Sequence, residues 1–248
     1  MKSIILTILF SFIFLVQCTE IPDAQKIVDR AIEVSGGNMI GQNKIEFTFR
    51  DRLYTLHHEK EGRVLSRITK TDSGAILDRK LPAGFQRYFR DTLLNIPDSM
   101  ARKYANSVNS VHYFAYLPSG LNDPAVNKEY LGSALVNGKS YHKIQVTFNQ
   151  EDGGEDFEDV FVYWFNQSNG NPDYIAYVYH TDGGGMRFRA AQNQRRIGGI
   201  LFVDYKNYKP MDKGALLQSL DSLYEAGELE LLSLIELKDI RVTPDNYN

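Results

Sequence analysis

The stretch that most restricts the fold is residues 156–210, DFEDVFVYWFNQSNGNPDYIAYVYHTDGGGMRFRAAQNQRRIGGILFVDYKNYKP. Four segments crowded with aromatic and β-branched residues (160–165, 174–180, 186–190 and 200–208) are separated by turns of Asn, Gly, Asp and Pro. Flat rings and branched side chains suit a pleated surface, and these turn residues tolerate left-handed backbone geometry. The pattern predicts an antiparallel meander. In its first segment Phe161, Tyr163 and Phe165 alternate with Val162 and Trp164, so both faces of the sheet are apolar and each needs a cover.

The flanks supply covers and more strands. Asp23 is placed to N-cap a helix carrying Ala24, Ile27, Val28, Ala31 and Ile32 at helical spacing, ended by Ser35-Gly36-Gly37. From Lys44 the period changes to two, and 54–56, 64–69, 75–81 and 85–89 continue as short strands whose alternating charges predict one wet face. Pro97-Asp98 opens a second helix, with Met100, Tyr104, Val108, Val111 and Ala115 three and four apart. Segments 130–136 and 139–148 flank Asn137-Gly138, a pair suited to a type I′ hairpin turn. A third helix is predicted over 212–226, with Leu216, Leu217, Leu220, Leu223 and Tyr224 on one side, and 229–242 reads as one closing strand. About a dozen strands and three helices result. Strands follow strands through short turns, which argues against a parallel α/β sheet and for an α+β fold.

The N-terminus, MKSIILTILFSFIFLVQC, holds Lys2, an apolar run over 4–16 and then Cys18. That run is shorter than the roughly 20 residues a spanning helix needs, so it reads as a secretory signal. Cys18 is the single cysteine, which excludes an intrachain disulfide. Leu15-Val16-Gln17-Cys18 resembles the lipobox of bacterial lipoproteins, although that pattern prefers Gly, Ala or Ser where Gln17 stands. The resemblance implies cleavage before Cys18 and acylation of its thiol, with enough acyl chains for stable membrane anchoring. The expected organisation is a signal peptide (1–17), a tether (18–22), one domain (23–242) and a polar tail (243–248). A net charge of −3 argues against a nucleic-acid partner, which would need a concentrated basic face.

Together the lipobox, the leading amphipathic helix and the long antiparallel sheet resemble the LolA/LolB-like superfamily. More narrowly, HTDGGGMRFR…NQRRIGGILFVDYKNYK resembles an uncharacterised family of Bacteroidota lipoproteins sharing that fold. The resemblance implies a curved antiparallel half-barrel wrapping about three helices. It also implies a lipid anchor on the periplasmic side of the outer membrane, and a lipid or acyl chain held between sheet and helices. No established activity comes with it.

Two constellations are candidates for chemistry. The loop EDGGEDFED (151–159) holds six carboxylates, and flexible oxygen-rich loops suit Ca²⁺. Asp152, Glu155, Asp156 and Asp159 are its candidate ligands, without EF-hand spacing; a solvated turn is the plainer reading. The second constellation is His180, Asp182, Arg187 and Arg189 around Gly183-Gly184-Gly185, with Asn193 and Arg196 following. Three glycines can expose backbone N–H groups to an anion. A hairpin symmetric about Gly183 sets Arg187 and Arg189 opposite Tyr179 and Tyr177. This predicts either a structural ladder or an anion or headgroup site, with Trp164 joining Tyr177 and Tyr179 as ring candidates for the ligand wall. Asp204-Tyr205 and Asn207-Tyr208, before Pro210, read as a capped strand end. Neither a metal-ligand histidine spacing nor a G-x-S-x-G nucleophile motif is present. The preferred reading is a non-enzymatic lipoprotein that binds a hydrophobic or amphipathic molecule. A hydrolase using His180, Asp182, Arg187 and Arg189, and a scaffold lipoprotein with a filled core, are the alternatives.

Overall fold

A computed structural model describes residues 21–151, 157–180 and 183–246. Helix α1 (Ala24–Val34) begins as expected, with the Asp23 carboxylate accepting the Gln25 and Lys26 backbone N–H groups. It buries Val28, Ala31 and Ile32 and ends at Gly36, whose φ of +70° is left-handed. Strands β1 (Asn43–Phe49), β2 (Arg52–Glu59), β3 (Gly62–Thr71), β4 (Gly74–Leu81), β5 (Gly84–Phe89) and β6 (Thr92–Leu93) follow as a meander. Helix α2 (Asp98–Ala115) comes next. A second meander runs through β7 (Val126–Val136), β8 (Lys139–Phe148), β9 (Val160–Asn166), β10 (Pro172–Tyr179), β11 (Gly185–Ile197) and β12 (Ile200–Pro210). The β7–β8 turn takes positive φ at both Asn137 (+49°) and Gly138 (+72°), the type I′ signature.

The strands form two unclosed, curved antiparallel sheets of seven, within the curved antiparallel α+β fold expected. Their orders are β14-β1-β2-β3-β4-β5-β6 and β13-β12-β11-β10-β9-β8-β7. The predicted closing strand 229–242 is in fact two, β13 (Leu229–Ile235) on β12 and β14 (Lys238–Pro244) on β1. Between them Leu237 is clamped: its N–H donates to Asp204 Oδ1 at 2.9 Å and its carbonyl accepts from Arg195. The chain therefore leaves one sheet and joins the other at Glu236-Leu237. Thr243 and Pro244, expected in a polar tail, pair with Lys44 and Asn43, and the Asp245 carboxylate accepts the His58 N–H at 2.6 Å. The third helix is also shorter than predicted. Asp212 turns its carboxylate onto the Gly214 N–H, a local bond that competes with helix initiation, and regular α-helix spans only α3 (Leu220–Glu225) after a 3₁₀ turn at Leu217–Ser219.

Each face of the second sheet has its own cover. The inner face carries Phe161, Tyr163, Phe165, Ile175 and Val203 and packs on α1. The outer face carries Val162, Trp164, Tyr174, Ala176 and Phe188 and packs on α3. Helix α2 belongs mainly to the first sheet, where Val108, Ala115 and Tyr116 meet Ile45, Phe47, Tyr54 and Leu56. Polar bonds fix it there. Asp78, 1% exposed, is gripped by Arg67 and Arg87, each at 2.6 Å; Arg67 also donates to Ser107 of α2, and the Arg87 guanidinium lies 3.3 Å over the Tyr104 ring. His112 of α2 sits 3.2 Å from the Ser66 carbonyl through Nε2 and 3.0 Å from the Tyr116 hydroxyl through Nδ1. A carbonyl only accepts, so Nε2 bears the proton and Nδ1 accepts from Tyr116. Burial holds this imidazole's pKa down at about 4, against the Ser66 bond, so it is neutral.

Candidate functional site

Between α2 and the inner face of the second sheet lies a cavity of about 810 Å³, within the roughly 300–1,000 Å³ typical of small-molecule sites. Its existence follows from how α2 is held. The helix is bolted to the first sheet, and towards the second it offers mainly Tyr113 and Phe114. The Tyr113 hydroxyl lies 3.2 Å from that of Tyr163, and the Phe114 ring packs on Phe161 and Tyr177. Beyond these contacts the sheet is left facing open space, bordered by Phe148, Phe161, Val203 and Ile235 from the sheet and Val111 from the helix. Arg50 and Lys80 reach in from the first sheet.

Among the described residues the charge of the lining is one-sided: Arg50, Lys80, Arg187 and Arg189 border the cavity, with Asp159 as the acid. Arg189 is 8% exposed, and among the described residues it has no carboxylate partner. Its Nη2 donates to the Tyr177 hydroxyl at 2.8 Å and its guanidinium lies 3.7 Å over the Phe114 ring, but its buried Nε–H has no acceptor among the described residues. Arg187 donates to the Tyr179 hydroxyl at 2.6 Å and to the Met186 carbonyl at 2.8 Å. Burial, and then the charge of Arg63, lowers the pKa of Lys80. Burial raises Tyr163 and Tyr205 far above neutrality against the pull of Arg189, and pushes Tyr113 up to about 12. These phenols therefore stay protonated and supply no negative charge.

The residues singled out from sequence separate into three places. Tyr177, Tyr179, Arg187, Arg189 and Asp159 line the cavity together. The β10–β11 hairpin turns one residue earlier than expected: Arg187 stands opposite Tyr177 and Arg189 opposite Ile175. A register shift of two keeps the faces, so each arginine still reaches its expected tyrosine, now diagonally. His180 is at the rim with a half-exposed side chain, its Nδ1 3.5 Å from Asp159 Oδ1. The second group lies elsewhere. Trp164 is fully buried on the outer face, donating to Asp221 at 2.9 Å, and so is not part of this wall. Asn193 bonds Asp204 at 2.7 Å, and Arg196 bonds the Val34 and Gly199 carbonyls at the end of α1. Those three are fastened into structure away from the cavity. Cys18, Asp152, Glu155, Asp156 and Asp182 form the third group, outside the described residues. Among the described residues no three His, Cys, Asp or Glu side chains cluster as metal ligands would, and no helix is long and apolar enough to cross a membrane.

Sequence reasoning missed Tyr205 and Asn207, which it took for a strand end, and the α2 residues Tyr113 and Phe114. The signal was present: Tyr113 and Phe114 lie off the apolar stripe of α2 and so need a second partner surface.

No curated protein is a significant match to the sequence. Among solved structures, a LolA superfamily protein from Nitrosomonas europaea is similar over 88% of this chain and 92% of its own, with 13% identity and a TM-score of 0.47. A DUF1329 family protein from Desulfovibrio piger is similar over the same shares of the two chains, with 10% identity and a TM-score of 0.45. The sequence matches a family model over residues 2–237, and the chain therefore belongs to DUF6503, a family of unknown function.

Proposed function

We propose that this protein is an envelope lipoprotein, tethered through Cys18 on the periplasmic side of the outer membrane, that binds a hydrophobic or amphipathic molecule without transforming it. The observation that carries the reading is the cavity between α2 and the inner sheet face, with rings at its wall and no side chain of the described residues filling it. A scaffold protein would have no use for that space. For the hydrolase alternative, the nearby groups are poorly disposed: the His180 side chain is half-exposed beside Asp159, and the two arginines are engaged by tyrosine hydroxyls.

Native mass spectrometry of protein purified without detergent is expected to show a population carrying one lipid-sized adduct, and the delipidated protein is expected to take up a fluorescent fatty acid. A bare mass together with no uptake would sink the proposal. The tether has its own test: Cys18→Ser should move the protein from the membrane fraction to the soluble one, and an unmodified Cys18 thiol in cells would dismiss the anchor.

A further inference from the structure

We propose that the ligand carries an anionic head, a carboxylate or a phosphate ester, and that Arg189 and Asn207 hold this head on adjacent strands. The inference deepens the binding reading above and rests on it.

Two buried polar atoms with no partner among the described residues belong to neighbouring residues of the wall. Arg189 on β11 and Asn207 on β12 are direct cross-strand partners, and both line the cavity. Among the described residues the Arg189 Nε–H has no acceptor and Asn207 Oδ1 has no donor. Buried polar groups are nearly always paired, so two orphans side by side at a cavity wall describe a ligand's outline. A buried guanidinium is costly without a counter-charge, and among the described residues no carboxylate pairs with Arg189, while the neighbouring Tyr163 and Tyr205 are neutral phenols. Stacking on Phe114 and the bond to Tyr177 fix the guanidinium plane in advance. Its free Nε–H edge is half of the fork with which arginine grips a planar or tetrahedral oxyanion.

Asn207 fits the same guest. Its Nδ2 donates to Ser233 Oγ at 3.2 Å. A half-turn of the amide keeps that contact, with the Ser233 hydroxyl donating to Oδ1, and brings two N–H donors to where the orphan oxygen stands. Lys80 and Arg187, also at the wall, favour the same sign of charge. The apolar part of the lining then has a purpose that a bare inorganic anion would not give it, since Phe148, Phe161 and Ile235 can take the chain behind the head.

Calorimetric titration of the purified, delipidated protein with dodecanoate, dodecyl phosphate, dodecanol and inorganic phosphate tests this, on wild type and Arg189→Gln. Dodecanoate and dodecyl phosphate should bind about tenfold more tightly than dodecanol, the scale of one charge-assisted hydrogen bond. Arg189→Gln should narrow that ratio to within about twofold. Equal affinity of wild type for dodecanol and dodecanoate overturns the anionic head while leaving an apolar binding site in place. Absence of binding by all three chains removes the underlying reading as well. Inorganic phosphate binding as tightly as dodecyl phosphate would assign the site to a free anion and overturn a lipid head. The comparison among probes needs only the wild type, so a poorly folding Arg189→Gln cannot obscure the result.

Discussion

On the outer face of the second sheet Trp164, Ala176 and Phe188 are wholly covered, while on the inner face Tyr177, Arg187 and Arg189 border open space. The same strands build both faces, with the same mixture of rings and branched side chains. What differs is how each cover is attached. The segment around α3 docks directly onto the outer face: the Trp164 indole donates to Asp221, Lys143 reaches the same carboxylate at 3.1 Å, and the Tyr224 ring meets Phe188, Tyr174 and Tyr208. Helix α2 is instead fastened to the other sheet by Asp78, Arg67, Arg87 and His112, and reaches the inner face chiefly through Tyr113 and Phe114. A cover held from elsewhere leaves a gap, and a cover held from beneath closes it.

The largest expected effect breaks the closed face. Trp164→Ala should cost about 3–5 kcal/mol, because the removed ring leaves a hole that α3 only partly refills. It also strips Asp221 of the indole donor. Urea denaturation measures the loss, and a cost below about 1 kcal/mol would mean that the outer face is not tightly packed.

The next effect concerns the fastening of α2. The His112 pKa falls from 6.5 when unfolded to about 4 when folded, with burial as the main cause and the charge of Arg63 acting in the same direction. Between those values the unfolded chain binds a proton that the folded one refuses. The stability is fully present above pH 6.5 and is lost as pH falls towards 4. The shift corresponds to an upper bound of about 3 kcal/mol. His112→Gln should flatten that part of the stability–pH curve relative to wild type. If both proteins lose stability in parallel between pH 7 and 4, His112 is not what ties the helix down.

Much of this comparison was legible in the sequence. Alternation alone separates Phe161 and Tyr163 from Val162 and Trp164, and Asp23 and Asn137-Gly138 mark their helix start and turn where the structure has them. Parity within one strand says nothing about the next, however. Trp164 pairs with Tyr174, and Tyr163 with Ile175, so Trp164 and Tyr177 fall on opposite faces; only the pairing register fixes this. The break at Glu236-Leu237 was equally hidden, since no Gly or Pro marks it. It is made by a distant carboxylate, Asp204, accepting the Leu237 N–H. Helix α2 shows the same limit. Its stripe of Val108, Val111 and Ala115 announces one partner surface, and nothing local says that a second surface stands off by the width of a ligand.

The smallest effect sharpens the contrast most, because it asks each face to accept the same kind of added bulk. Ala176 lies on the outer face with no exposed surface, so Ala176→Leu forces methyl groups into packed rings and should cost about 1–3 kcal/mol. Val203, on the inner face, borders the cavity. Val203→Phe has room to turn its ring into that space, so its cost should stay within about 1 kcal/mol. The ring would stand where a ligand's chain is expected, and uptake of the fluorescent fatty acid should fall while melting behaviour stays near that of wild type. If Val203→Phe destabilises as much as Ala176→Leu, the inner face is as full as the outer one. The difference between a cover held from elsewhere and one held from beneath would then have no consequence for binding.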